Sequence, residues 1–141
     1  MAELRLDAVS TEQTDAVLPF VNGILEEMNC PPEIQTEIDM AVEELFVNIA
    51  SYAYPPGTGP AVIRIEAEGD PPAAVITLID SGVPFNPLAK PDPDLSLSLD
   101  ERPIGGLGIY MAKNSMDACS YTYENGRNIL TLKKNLYFPA S

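Results

Sequence analysis

Glu44 and Asn48 stand four residues apart in the run Ala41-Val42-Glu43-Glu44-Leu45-Phe46-Val47-Asn48. On a helix that spacing puts both side chains on one face. A carboxylate can take a proton from a hydroxyl or a water, and an amide oxygen is a hard ligand suited to Mg²⁺ beside phosphates. A second segment, Asp80-Ser81-Gly82-Val83-Pro84-Phe85-Asn86, follows the apolar run Val75-Ile76-Thr77-Leu78-Ile79. An aspartate at a strand end can accept a hydrogen bond from an exocyclic amine, and glycine there lets backbone approach a ligand. The third segment is Ile104-Gly105-Gly106-Leu107-Gly108-Ile109-Tyr110. Free N–H groups at a glycine-rich helix start favour an anion such as a triphosphate. It is neither a P-loop, since no Gly-Lys-Ser/Thr follows, nor a dinucleotide fingerprint, since no strand precedes it directly. Taken singly, the three segments also fit a solvated helix face, an Asp-Ser-Gly turn and a glycine hinge.

The elements that must position these residues follow an α/β order. Leu4, Leu6 and Ala8 alternate with polar neighbours, which predicts a half-buried strand over 3–9. Ser10 with Gln13 gives a capping-box signature, and Val17, Phe20, Val21, Ile24, Leu25 and Met28 extend a helix to about Asn29. Ile34, Ile38, Val42, Leu45 and Ile49 predict a second helix from Pro32 to about Ser51, ended by Tyr54-Pro55-Pro56-Gly57. Strands over 61–68 and 73–80 read as a hairpin around Gly69-Asp70-Pro71-Pro72. Pro84 to Pro103 holds five prolines without sustained periodicity and predicts a long loop. The glycines then open a short helix to about Met116. Strands over 119–123 and 128–134 close the chain around Glu124-Asn125-Gly126-Arg127. This order predicts a two-layer α/β sandwich of the α+β kind, a mixed, mostly antiparallel sheet with helices on one face.

Composition limits the partners. The 141 residues suit a single domain. With 21 acidic against 8 basic residues the net charge is -13, which repels nucleic-acid backbones and anionic lipid and suits a basic protein partner. No stretch of about 18 apolar residues occurs, and MAELRLDAVS has neither the basic start nor the apolar core of a signal peptide, so no membrane span and a cytoplasmic location are expected. Cys30 and Cys119 fit no metal spacing in a chain without histidine and are expected as buried free thiols.

The order and spacing of the three segments are more specific than any of them alone. Glu44…Asn48, Asp80-x-Gly82-x-Pro84-Phe85-Asn86 and Gly105-Gly106-x-Gly108 resemble the N, G1 and G2 boxes of the GHKL, or Bergerat-fold, ATPases, over about Asp39 to Lys134. Within that family, AVEELFVNIASYAY and the run DPDLSLSLDERPIGGLGIYMAKNSMDACSYTYENGRNILTLKK are similar to the anti-sigma-factor serine/threonine kinases of the RsbW and SpoIIAB type. The resemblance implies ATP and Mg²⁺ as cofactors. Asn48 would be the metal ligand and Asp80 the partner of the adenine amine. Gly82, Phe85, Gly105, Gly106, Leu107 and Gly108 would surround the nucleotide, Arg102 would grip the γ-phosphate and Glu44 would be the general base. Residues 87–103 would form an ATP lid. The implied partners are a STAS-domain anti-sigma-factor antagonist as phosphoacceptor, a sigma factor, and a second copy in a homodimer. An ATP-dependent binding module without phosphotransfer and a plain ATPase subunit are the rival classes. Tyr52 stands where many relatives carry histidine or another basic residue, and Asn128 and Thr131, on opposite faces of one strand, compete for the adenine-side position.

Overall fold

The computed structural model describes residues 1–89 and 107–137. Strand β1 (Ala2–Leu6) leads through a short 3₁₀ turn (Thr11–Gln13) into helix α1 (Thr14–Glu27), and α2 (Pro32–Tyr52) follows. Strands β2 (Ala61–Glu68) and β3 (Ala73–Asp80) form a hairpin, and a second 3₁₀ turn spans Pro87–Ala89. Helix α3 (Leu107–Ser115) and strands β4 (Ala118–Glu124) and β5 (Arg127–Asn135) complete the described chain. The capping signature operates as expected, since Ser10 N–H donates to Gln13 Oε1 at 2.9 Å. The last hairpin turns on Asn125 and Gly126, whose φ of 54° and 76° are the left-handed pair that a two-residue hairpin loop requires.

The sheet has the order β1-β2-β3-β5-β4 with every neighbouring pair antiparallel. No parallel ladder occurs among the described strands, which corrects the expectation of a mixed sheet. The reason is topological. β3 and β4 run in the same direction, but the tight β4–β5 hairpin inserts β5 between them, so the two parallel strands never touch.

All three helices cover one face. Ile63, Ile65, Ile76, Leu78, Leu130 and Leu132 point from the sheet into a core shared with Val17, Val21 and Leu25 of α1, Ile38, Val42 and Phe46 of α2, and Ile109 and Ala112 of α3. Each such large side chain, when fully buried, stabilises the fold by about 1.5–3 kcal/mol. The core runs along the inner face of α2, so the flanking edge of that helix, with half-buried Glu44 and Asn48, is held at a fixed height over the sheet. Cys30 is buried and Cys119 half-buried, both as free thiols, and burial raises each above the usual thiol range.

Among the described residues, no helix lies on the other sheet face. There Arg5, Arg64, Arg127 and Lys133 share the surface with Glu3, Glu66, Glu68 and Glu124, and Glu3 pairs with both Arg64 (2.7 Å) and Arg5 (2.8 Å). Helices α1 and α2 carry acidic residues and no lysine or arginine at all. No helix among the described residues is long and apolar enough to cross a membrane.

Candidate functional site

Helix α2 ends above the tip of β3, and three contacts join the two. Val83 N–H donates to the Ala53 carbonyl at 2.9 Å, and Ser81 N–H donates to the Tyr54 hydroxyl at 2.6 Å. Gly82 lies so close to Ala53 that a Cβ on it would stand 2.2 Å from that carbonyl oxygen. The glycine in this turn is therefore demanded by the approach of α2. The same contact fixes the strand end that carries Asp80 relative to the helix that carries Asn48.

Between these elements lies a hollow that opens to solvent, with a cavity volume of about 40 Å³. Leu45, Ile49 and Leu130 give it an apolar floor, and Asn48, Asp80 and Asn128 bring polar groups to its wall. Phe85, 43% exposed, and Tyr52, 66% exposed, stand at its mouth. Asp80 is 5% exposed. Its Oδ1 accepts from Gly82 N–H and from Asn128 Nδ2, each at 2.9 Å, whereas Oδ2 has no hydrogen-bond partner among the described residues. Burial raises the Asp80 carboxyl above the ordinary carboxylate range, and the hydrogen bonds from Asn128 and Gly82 partly offset this.

Glu44 lies apart from this wall. It faces a neighbouring hollow between α2 and α3, lined also by Glu37, Met40, Gly108 and Met111. Gly108 leaves room for it, since a Cβ there would stand 2.2 Å from both Cδ and Oε1 of Glu44. The structure thus brings Asn48, Asp80 and Phe85 to one pocket and sets Glu44 with Gly108 one helical turn away, in an adjoining one. Arg102, Gly105 and Gly106 lie outside the described residues, as does the span 87–103 beyond Ala89. For Leu107 only the helical backbone is described.

Asn128 is the residue that the sequence left undecided. Strand pairing sets it opposite Asp80 on the inner face, whereas Thr131 pairs with Thr77 on the outer one. Its carboxamide contacts Asp80, Val83 and Phe85. The strand register against β3 identifies it, and no local spacing does. Tyr121 of β4, whose hydroxyl donates to Asn128 Oδ1, is a further pocket residue that sequence reasoning missed.

The residues present suit an adenine nucleotide. A carboxylate oxygen with no partner among the described residues, on an aspartate that is only 5% exposed and beside an apolar floor, calls for a donor on a flat apolar ligand, and Asn48 adds a neutral oxygen at the rim. Among the described residues no cluster of three acidic, cysteine or histidine side chains could hold a metal unaided.

A fold of this kind, with such a pocket between a helix end and the central strands, defines a nucleotide-binding ATPase domain. Residues 8–134 match the histidine kinase-like ATPase domain, and the chain belongs to that family. It is 30% identical over 129 residues to the serine/threonine-protein kinase BtrW of Bordetella bronchiseptica, covering 92% of this chain and 89% of that relative. Its fold matches the crystal structure of the RsbU and RsbW domains of Rv1364c from Mycobacterium tuberculosis with a TM-score of 0.63 at 14% identity, over 99% of this chain. The match spans 34% of that longer chain.

Proposed function

We propose that this chain is an ATP-dependent serine/threonine protein kinase that acts as an anti-sigma factor, transferring phosphate to a STAS-domain antagonist. The observation that carries the nucleotide half is the Asp80 oxygen that has no partner among the described residues and lies over an apolar floor. The kinase half rests on Glu44, one turn along α2 from Asn48 and open to the hollow next door, together with the likeness to a relative named as a serine/threonine kinase.

Bound ATP supplies the transferable phosphoryl group, and Mg²⁺ offsets charge on its oxygens. The chain's own residues do the rest. Asp80 Oδ2 accepts a hydrogen bond from the adenine amine, Leu45, Ile49 and Leu130 exclude water from the base, and Asn48 presents its amide oxygen to the metal. Glu44 accepts the proton of the partner's hydroxyl as that oxygen bonds to the γ-phosphorus and the bond from that phosphorus to the departing ADP breaks. Arg102, with Gly105 and Gly106, is assigned to the phosphates, and 87–103 to a lid. The uncovered sheet face, where basic and acidic side chains balance, supports a second copy of the chain as a further partner.

Tyr52 favours a second reading, an ATP-dependent binding module without transfer, because an exposed phenol stands at the pocket mouth where relatives place a cation. Incubation with labelled ATP and the STAS-domain proteins of the same organism separates the two. Label on a partner serine or threonine supports the kinase, and ATP-dependent complex formation without label supports the module.

A further inference from the structure

Asn128 is 5% exposed, and the direction of its carboxamide is dictated by backbone groups that cannot exchange roles. Nδ2 faces the carbonyl oxygens of Val83 at 3.0 Å and Gly82 at 3.4 Å, while Oδ1 accepts from Phe85 N–H at 3.1 Å. A flipped amide would set oxygen against carbonyls and NH₂ against N–H. The Tyr121 hydroxyl, also on Oδ1, must then donate. The remaining Nδ2 hydrogen goes to Asp80 Oδ1 at 2.9 Å. Both donor hydrogens and both acceptor directions of Asn128 are thereby used within the protein, and nothing is left for a ligand.

We infer that Asn128 is the positioning residue that sets the nucleobase preference of the pocket. Together with Gly82 N–H, it requires an oxygen at the inner position of residue 80. The outer atom of that residue is then the one that reads the base. With aspartate the outer atom is an acceptor, which pairs with the amine of a 6-aminopurine and repels the oxygen of a 6-oxopurine. The inference rests on the proposed adenine site and adds a determinant to it. It also foresees an unusual result for Asp80→Asn. The two inner donors hold the new carboxamide with its oxygen inward, so its NH₂ must face the pocket, where it opposes adenine and can donate to hypoxanthine.

The test is calorimetric titration of the full chain with Mg-ATP and Mg-ITP, read as the ratio of the two affinities. Wild type should favour ATP by about tenfold or more, and Asp80→Asn should favour ITP. Asn128→Ala should bring the ratio towards one with Asp80 intact, and the inversion should shrink in the Asp80→Asn/Asn128→Ala double variant. Tyr121→Phe, which keeps the ring and loses one bond to Asn128, should move the ratio in the same direction by less, and it serves where Asn128→Ala does not fold. Equal loss of both affinities in Asn128→Ala and in Tyr121→Phe, with the ratio unchanged, would overturn the role of Asn128. So would an Asp80→Asn variant that loses ATP and gains nothing for ITP. A wild type that binds neither nucleotide would overturn the adenine site itself, and the inference with it.

Discussion

Gly108→Ala tests the proposed base without touching it. The added methyl would stand 2.2 Å from Cδ and Oε1 of Glu44 and 2.6 Å from Oε2. Carbon and heteroatom need about 3.5 Å, so the carboxylate must retreat by about 1.3 Å. It is the end of a flexible side chain and can do so, and alanine is a better helix former than glycine by about 1 kcal/mol, so the fold should survive. The chemistry should not. A general base works from about 2.6–3.2 Å, and a misplacement of about 1 Å costs roughly 10²-fold in rate. Single-turnover phosphotransfer to the partner should therefore fall about 10²-fold while the unfolding midpoint holds or rises. The control is Glu44→Gln, in whose background Gly108→Ala should add little, because the displaced group is already inert. A full 10²-fold further loss in that background would show that Gly108 acts on the triphosphate directly, and the route through Glu44 would be refuted.

Glu44→Gln should itself leave Mg-ATP affinity near wild type and slow transfer by roughly 10²–10⁴-fold, whereas Asn48→Ala should lower both; binding and rate measured on the same samples separate the two roles. Gly82→Ala should destabilise the fold by about 1–3 kcal/mol in denaturant titration, since its methyl meets the Ala53 backbone, which cannot step aside. Asp80 gives a pH signature. Burial raises its carboxyl in the folded state above the ordinary carboxylate range, so between that range and the raised folded value the unfolded chain binds fewer protons and stability falls as pH rises. Unliganded Asp80→Asn should be more stable than wild type near neutrality, the gap should narrow below the ordinary carboxylate range, and a constant gap across pH would contradict the burial cost.

Much of this was legible in the chain because it is local. The apolar positions of α2 recur every three or four residues and bury as their spacing requires, and Asn125-Gly126 announces its hairpin. The placement of Asp80 at a strand end also follows from periodicity, as does the sharing of one helix edge by Glu44 and Asn48. What was not legible depends on contacts between distant segments. The insertion of β5 between β3 and β4 turns an expected mixed sheet into an antiparallel one, and the same register chooses Asn128 over Thr131. Glycine spacing marks Gly82 and Gly108 but not what fills the space beside each, Ala53 in one case and Glu44 in the other. Nor could spacing show that Glu44 opens into a hollow separate from that of Asp80, since this depends on how α3 crosses α2.

The absence of any lysine or arginine on α1 and α2, against the balanced charges of the open sheet face, makes the molecule an oriented electric object rather than a uniformly acidic one. Field lines from a basic partner would end on the helical side, so such a partner would be turned towards that side before any contact forms. A basic partner would thereby be met first on the side that holds Glu44 and the pocket. The bias acts on the association rate and fades as ionic strength shortens its reach to about 8 Å at physiological salt.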